Sequence, residues 1–179
     1  AKALLALMLL TIARFEARID EKGSIIILSE QNRGLWDKIL IAEGLEYLHQ
    51  SKEGNELTIY HLQAGIALEH CLSLSFESTN WESIYMQYSI LESLQKNAII
   101  SFNKAIAKFF KGQREEALND IIALKEEPEL QKNTCYFTAL GVLYTEIGQK
   151  SEGIPHFEKA LKLSNSVSEK ELIIQKMKS

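Results

Sequence analysis

The chain has 179 residues, 46% hydrophobic and 25% charged, with 9 Gly, 2 Pro, 2 Cys and a formal net charge of -4. This is ordinary globular usage and excludes disordered and collagen-like classes, while so few turn formers exclude a many-stranded β-sandwich or barrel. Residues 1–90 carry 7 Lys and Arg against 12 Asp and Glu, and the remainder 13 against 12, so neither half offers the concentrated basic face that grips nucleic acid.

The chain should therefore be helical. Residues 3–18 are apolar nearly all round, which predicts a helix packed inside. Between Lys2 and Arg14 the apolar run is about a dozen residues, short of the roughly 20 needed to span a bilayer. It is similar to the apolar core of a signal peptide, but no start methionine or basic leader precedes it and no small-x-small cleavage pattern follows. A buried helix is expected, with no membrane partner. Glu21, Lys22 and Gly23 break it, and the β-branched run at residues 24–28 is expected to form a short strand or extended segment.

A further helix over residues 36–50 would turn Ile39, Leu40, Leu45 and Leu48 toward neighbours, before a loop over residues 51–55. Residues 57–74 and 81–94 read as a helix pair. Ile59, Leu62, Ile66 and Leu74 line the first helix, and Ile84, Tyr88 and Leu91 the second. Thr79, Asn80, Trp81 and Glu82 have capping-box spacing.

Downstream the chain repeats itself. Lys111, Gly112 and Gln113 with Ala117 align with Ile147, Gly148 and Gln149 with Gly153, an offset of 36 residues. Residues 134–167 place Leu140, Gly141, Tyr144, Gly153, Phe157 and Ala160 at the spacing of the tetratricopeptide signature, whose unit is about 34 residues, and this segment resembles that repeat. Small residues would let two helices approach, with Tyr144 and Phe157 filling the space around them. Gly148 would stop the first helix, Ser151 cap the second, and Pro155 fall about four positions in. Residues 98–133 keep Ala105, Gly112, Ala117 and Leu124 without the aromatic positions, a degenerate copy punctuated by Pro128. Residues 169–178, opened by Ser168 and Glu171, would form a terminal capping helix.

The fold expected is an all-α array of tetratricopeptide-like antiparallel helix pairs, one domain over residues 1–179. Residues 1–54 would be an irregular N-terminal subregion, with at most one short strand or hairpin. Residues 55–179 would hold the pairs and the capping helix.

The N-terminal segment carries a second resemblance. Leu4, Leu5, Ala6, Leu7, Met8, Leu9 and Leu10, then Ala13-Arg14, Ala17-Arg18, the run at residues 28–33 and Trp36-Asp37 resemble the C-terminal extension of a group of extracytoplasmic-function sigma factors. The likeness continues through residues 60–64, Asn80-Trp81, residues 102–105 and the final repeat. Where that group has Asp-Gln-Asp-Arg, this chain has Glu30, Gln31, Asn32 and Arg33, so position 32 carries an amide in place of a carboxylate. The resemblance implies a cytoplasmic regulatory part of a transcription-initiation factor. It would act through contacts with its own sigma domains, RNA polymerase or a regulator protein, DNA being touched only by domains outside this chain. An adaptor built on the same repeat, unrelated to transcription, is the alternative.

No residue pattern announces a reaction. Cys71 and Cys135 are 64 positions apart with no ligand spacing, and His61 and His70 would point to opposite faces of one helix at about 100° per residue. No phosphate-loop, dinucleotide, HExxH or GxSxG motif occurs. We therefore expect no catalytic residue, no cofactor, no metal site and no enzyme, against a small hydrolase or metalloprotein. Two candidate sites remain. A protein-binding groove would be lined by Asn103, Ile106 and Phe110 and by Thr138, Val142 and Thr145, with core packing the better account of its apolar members. A structural clamp would join Arg14 and Arg18, at i,i+4 on one helix face, to Glu30 or Asp37, with Arg33 nearby and Trp36 as a core anchor; a basic pair that binds a partner is the alternative.

Overall fold

The computed structural model describes residues 1–54 and 56–178, and among them it is helical, with ten α-helices, four short 3-10 turns and no strand. The all-α expectation holds. The chain divides into two compact units, one of residues 1–20 and 26–96, the other of residues 21–25 and 97–179.

The first unit holds α1 (Lys2–Ile12), α2 (Lys38–Gln50), α3 (Ile59–Leu72) and α4 (Trp81–Leu94). Helix α1 packs on α2 and α3, and α3 packs on α4. Ala6, Leu10, Ala64 and Ala67 are buried at the α1–α3 contact, where alanines let two backbones approach. Gly44 does the same for α2, because a Cβ there would lie 2.8 Å from Leu10 Cγ.

Several expectations are corrected in this unit. Helix α1 stops at Ile12, and residues 15–18 form a 3-10 turn, Phe15–Arg18. Nor is α1 packed inside. Ala3, Ala6 and Leu10 face inward, but Leu4, Leu5, Met8 and Ile12 are 38–51% exposed, because helices cover only one side of it. Residues 24–28 make no strand; one backbone bond, Ile26 N to Arg18 O at 2.8 Å, precedes a 3-10 turn at Leu28–Glu30.

Helix α2 begins at Lys38, and Gly44 fixes which stripe faces in. Ile41, Tyr47 and Leu48 pack on the core, while Ile39 and Leu45 point outward. Leu74 lies beyond the end of α3 and is 92% exposed. The cap of α4 is Asn80, which accepts from Ser83 N at 3.1 Å, while the Thr79 hydroxyl donates to Ser75 O. The loop expected over residues 51–55 contains a 3-10 turn, Ser51–Glu53; Asn55 lies outside the described residues.

The second unit holds α5 (Ala98–Phe110), α6 (Arg114–Ala123), α7 (Pro128–Gln131), α8 (Thr134–Glu146), α9 (Lys150–Leu163) and α10 (Val167–Lys178). Two hairpins recur, α5 with α6 and α8 with α9. Their turns share one device. Gly112 and Gly148 have φ of +111° and +79°, and the following amides close onto the helix before them, Gln113 N to Lys108 O at 3.2 Å and Gln149 N to Tyr144 O at 2.8 Å. This is the left-handed helix stop that glycine allows.

Gly141 of α8 sits against the Phe157 ring of α9. Phe102, Phe109, Ile121, Tyr136, Leu140 and Leu143 form the core of the first hairpin and its neighbours, with the Tyr136 hydroxyl donating to Ile121 O at 2.9 Å. Helix α10 packs on α9 and α8, burying Ile173 beside Phe157 and Ala160.

Corrections here concern ends. Helix α9 starts at Lys150, so Ser151 lies inside its first turn and does not cap, and Pro155 is the sixth helical residue. Pro128 opens α7, an additional short helix. Helix α10 starts earlier than expected, at Val167, where Ser166 Oγ accepts from Glu169 N; the Ser168 hydroxyl instead donates to Gly23 O at 3.2 Å.

Candidate functional site

Of the clamp residues, Arg14, Arg33 and Trp36 gather at the end of α1. After the helix stops, Ala13 O accepts from Asp37 N at 2.8 Å, which lays the 3-10 turn Arg33–Leu35 and the following Trp36 against residues 13–18. Trp36 is 4% exposed. The Arg33 guanidinium lies over its ring at 4.5 Å and that of Arg14 at 5.8 Å. Stacking of this kind replaces part of the hydration that burial removes from an arginine.

Arg33 reaches further. Its Nη1 donates to His70 O at 2.5 Å and to Ser73 O at 2.9 Å, so a loop cation closes the carbonyl end of α3. Asp37, offered above as a partner for the arginines, caps α2 instead, accepting from Ile39 N at 2.8 Å and Leu40 N at 3.0 Å. Arg18 lies over Phe15 at 4.8 Å, outside the helix that was to align it with Arg14. Glu30 is exposed, at the end of the turn Leu28–Glu30.

Four side chains of this cluster each hold a buried polar atom without a hydrogen-bond partner: Arg14 Nε, Arg33 Nη2, Trp36 Nε1 and His70 Nδ1. Burial, then the charges of Arg14 and Arg33, pushes the His70 imidazole down to about 4. Burial also lowers both arginines and raises the Cys71 thiol, whose Sγ donates to Leu10 O at 3.6 Å. His70 and Cys71 were not singled out as members of this cluster. They meet Arg33 across 37 or more positions of sequence, and no local spacing marks such a contact.

The six groove residues lie on α5 and α8 of the second unit, all half-buried. Ile106 and Phe110 pack on the hairpin core, and Val142 on the cluster of Phe157, Ala160 and Ile173. The hydroxyls of Thr138 and Thr145 donate back to their own helix, to Thr134 O at 2.9 Å and Gly141 O at 3.0 Å. Asn103 is the member whose side chain is left to present a polar group at half exposure.

Residues 1–52 match DUF6596, a family of unknown function. The chain is also similar to an uncharacterized protein of Rhizobium meliloti (strain 1021), at 32% identity over 166 residues, which is 93% of this chain and 39% of that relative. The matched segment contains Arg14, Arg33 and Trp36, whereas His70 lies beyond it. Among the described residues, no helix is long and apolar enough to cross a membrane.

Proposed function

We propose that this chain is a regulatory extension of an extracytoplasmic-function sigma factor and modulates transcription initiation through protein contacts. The resemblance of residues 4–37 to that group carries the reading, and within the first unit α1, the turn after it and the Arg33–Trp36 loop meet around a buried tryptophan. The relative has more than half its length outside the matched region, which leaves room for promoter-reading domains. The net charge of -4 fits a part that leaves DNA to them. Leu4, Leu5, Met8 and Ile12 give α1 an exposed apolar face suited to another protein. On this reading the chain works by binding, in the cytoplasm, and catalyses nothing.

A second reading, an adaptor unrelated to transcription, draws on the recurring left-handed turn at Gly112 and Gly148. Transcription reconstituted with a full-length factor, with and without these residues, separates the two. The sigma-factor reading expects altered strength or regulation of initiation. Unchanged initiation and unchanged regulation would leave the adaptor.

A further inference from the structure

We propose that the cluster of Arg14, Arg33, Trp36 and His70 is a binding site for a carboxylate. The inference stands on the side chains alone and does not depend on a role in transcription. Of the five orphan atoms among the described residues, Arg14 Nε, Arg33 Nη2 and Trp36 Nε1 can only donate, His70 Nδ1 donates in one of its two neutral tautomers, and Gln31 Oε1 is an acceptor. A buried donor without an acceptor is costly, and those of Arg14 and Arg33, whose guanidinium groups lie over the Trp36 ring, together with the indole N–H call for a group rich in acceptors.

Charge narrows the class. The groups that bear on Arg14 are Cys71, Arg18 and Arg33, none of them a carboxylate. Glu77 acts on Arg33 from an exposed position, and the Asp37 carboxylate is committed to the cap of α2. A neutral acceptor such as water would satisfy the donors and leave the largely buried charge of Arg14 uncompensated; an anion does both. A single negative charge fits better than two. The carbonyls of His70 and Ser73 already occupy Arg33 Nη1, and the C-terminal end of α3 adds partial negative charge there. A carboxylate has two acceptor oxygens and a plane that matches the arginine fork.

The ligand is then a small free carboxylate or a carboxylate carried on a peptide, and the indole N–H resonances tell these apart. The chain has two tryptophans. Trp81 Nε1 donates to Phe76 O at 3.3 Å and serves as the internal control. The whole chain is titrated with sodium acetate, with a blocked tripeptide carrying a central glutamate, with its glutamine counterpart, and with sodium chloride and sodium phosphate at matched ionic strength. We expect a saturable downfield movement of the Trp36 N–H with acetate or the glutamate peptide, at least tenfold weaker with the other three, and no movement of Trp81. Response to acetate assigns a free carboxylate, and response to the peptide alone a carried one. Arg14→Gln should weaken the response at least tenfold; should that variant fail to fold, Arg33→Lys, which keeps the charge and loses Nη2, is read in its place. No saturable movement of Trp36 with either carboxylate, or equal movement with chloride or phosphate, overturns the site.

Discussion

Arg33 donates to the carbonyl oxygen of His70 at 2.5 Å, linking a loop before α2 to the last turn of α3. A helix leaves its final carbonyls without partners inside the helix, and a guanidinium can serve two of them at once. Ser73 O is the second, at 2.9 Å.

Arg33→Ala removes both bonds and the ring contact with Trp36. The expected loss is about 1.5–3 kcal/mol, the range for a bond involving a charged group. Arg33→Lys, a point charge without the fork, should recover part of it. Urea midpoints of the three proteins test this, and an alanine variant as stable as the parent would contradict it.

His70 makes the first unit sensitive to acid. Its folded value of about 4 lies below the unfolded one of about 6.5. Between these values the unfolded chain binds a proton that the folded chain does not. The contribution is therefore complete above pH 6.5 and is lost as pH falls toward 4. At about 1.4 kcal/mol per unit it amounts to roughly 3 kcal/mol. Urea unfolding at pH 7.5 and pH 5 should show the decline, and His70→Gln should flatten it. A smaller slope will remain from His156, which burial also lowers.

What was legible in the sequence depended on range. The span of α4 and the turn glycines at 112 and 148 follow from local pattern, since a 3.6-residue stripe and a left-handed stop are decided within a few residues. The exposed face of α1 was not legible, because nothing inside an all-apolar segment says how many neighbours it will have. The inward face of α2 was legible at Leu48 but not at Ile39 and Leu45, which lost to the stripe containing Gly44, a choice made by Leu10 across the contact. At the candidate site, Arg14, Arg33 and Trp36 stood out from the sequence. Their meeting with His70 needed the path of α3.

Gly112→Ala and Gly148→Ala isolate backbone strain. An added Cβ meets nothing within 4 Å at either position, yet both residues have strongly positive φ. Each variant should lose about 1 kcal/mol, with the urea dependence otherwise unchanged. A neutral result would mean that the turn rearranges without penalty.

Tyr136→Phe tests the buried hydroxyl of α8. The side chain is 1% exposed and its O–H donates to Ile121 O at 2.9 Å. Phenylalanine keeps the packing against Phe102, whose ring centroid is 5.4 Å away. Only the hydrogen bond is lost, so the expected change is about 1 kcal/mol in the thermal or urea midpoint.

Gly141→Ala asks whether close approach of α8 and α9 holds the second hairpin together. In an open helix this change would stabilise by about 1 kcal/mol through propensity. Here the new Cβ would lie 2.7 Å from the Phe157 ring, which is 1% exposed and has no room to withdraw. Overpacking of this kind costs about 1–3 kcal/mol, so the sign should reverse to a net loss. The cause can be separated from the loss by a double-mutant cycle with Phe157→Leu, a smaller side chain. If the ring is what the methyl meets, Gly141→Ala should be less harmful in the leucine background, by more than about 0.5 kcal/mol. An equal penalty in both backgrounds would show that the two positions do not compete for the same space, and that the glycine is there for some reason other than the contact.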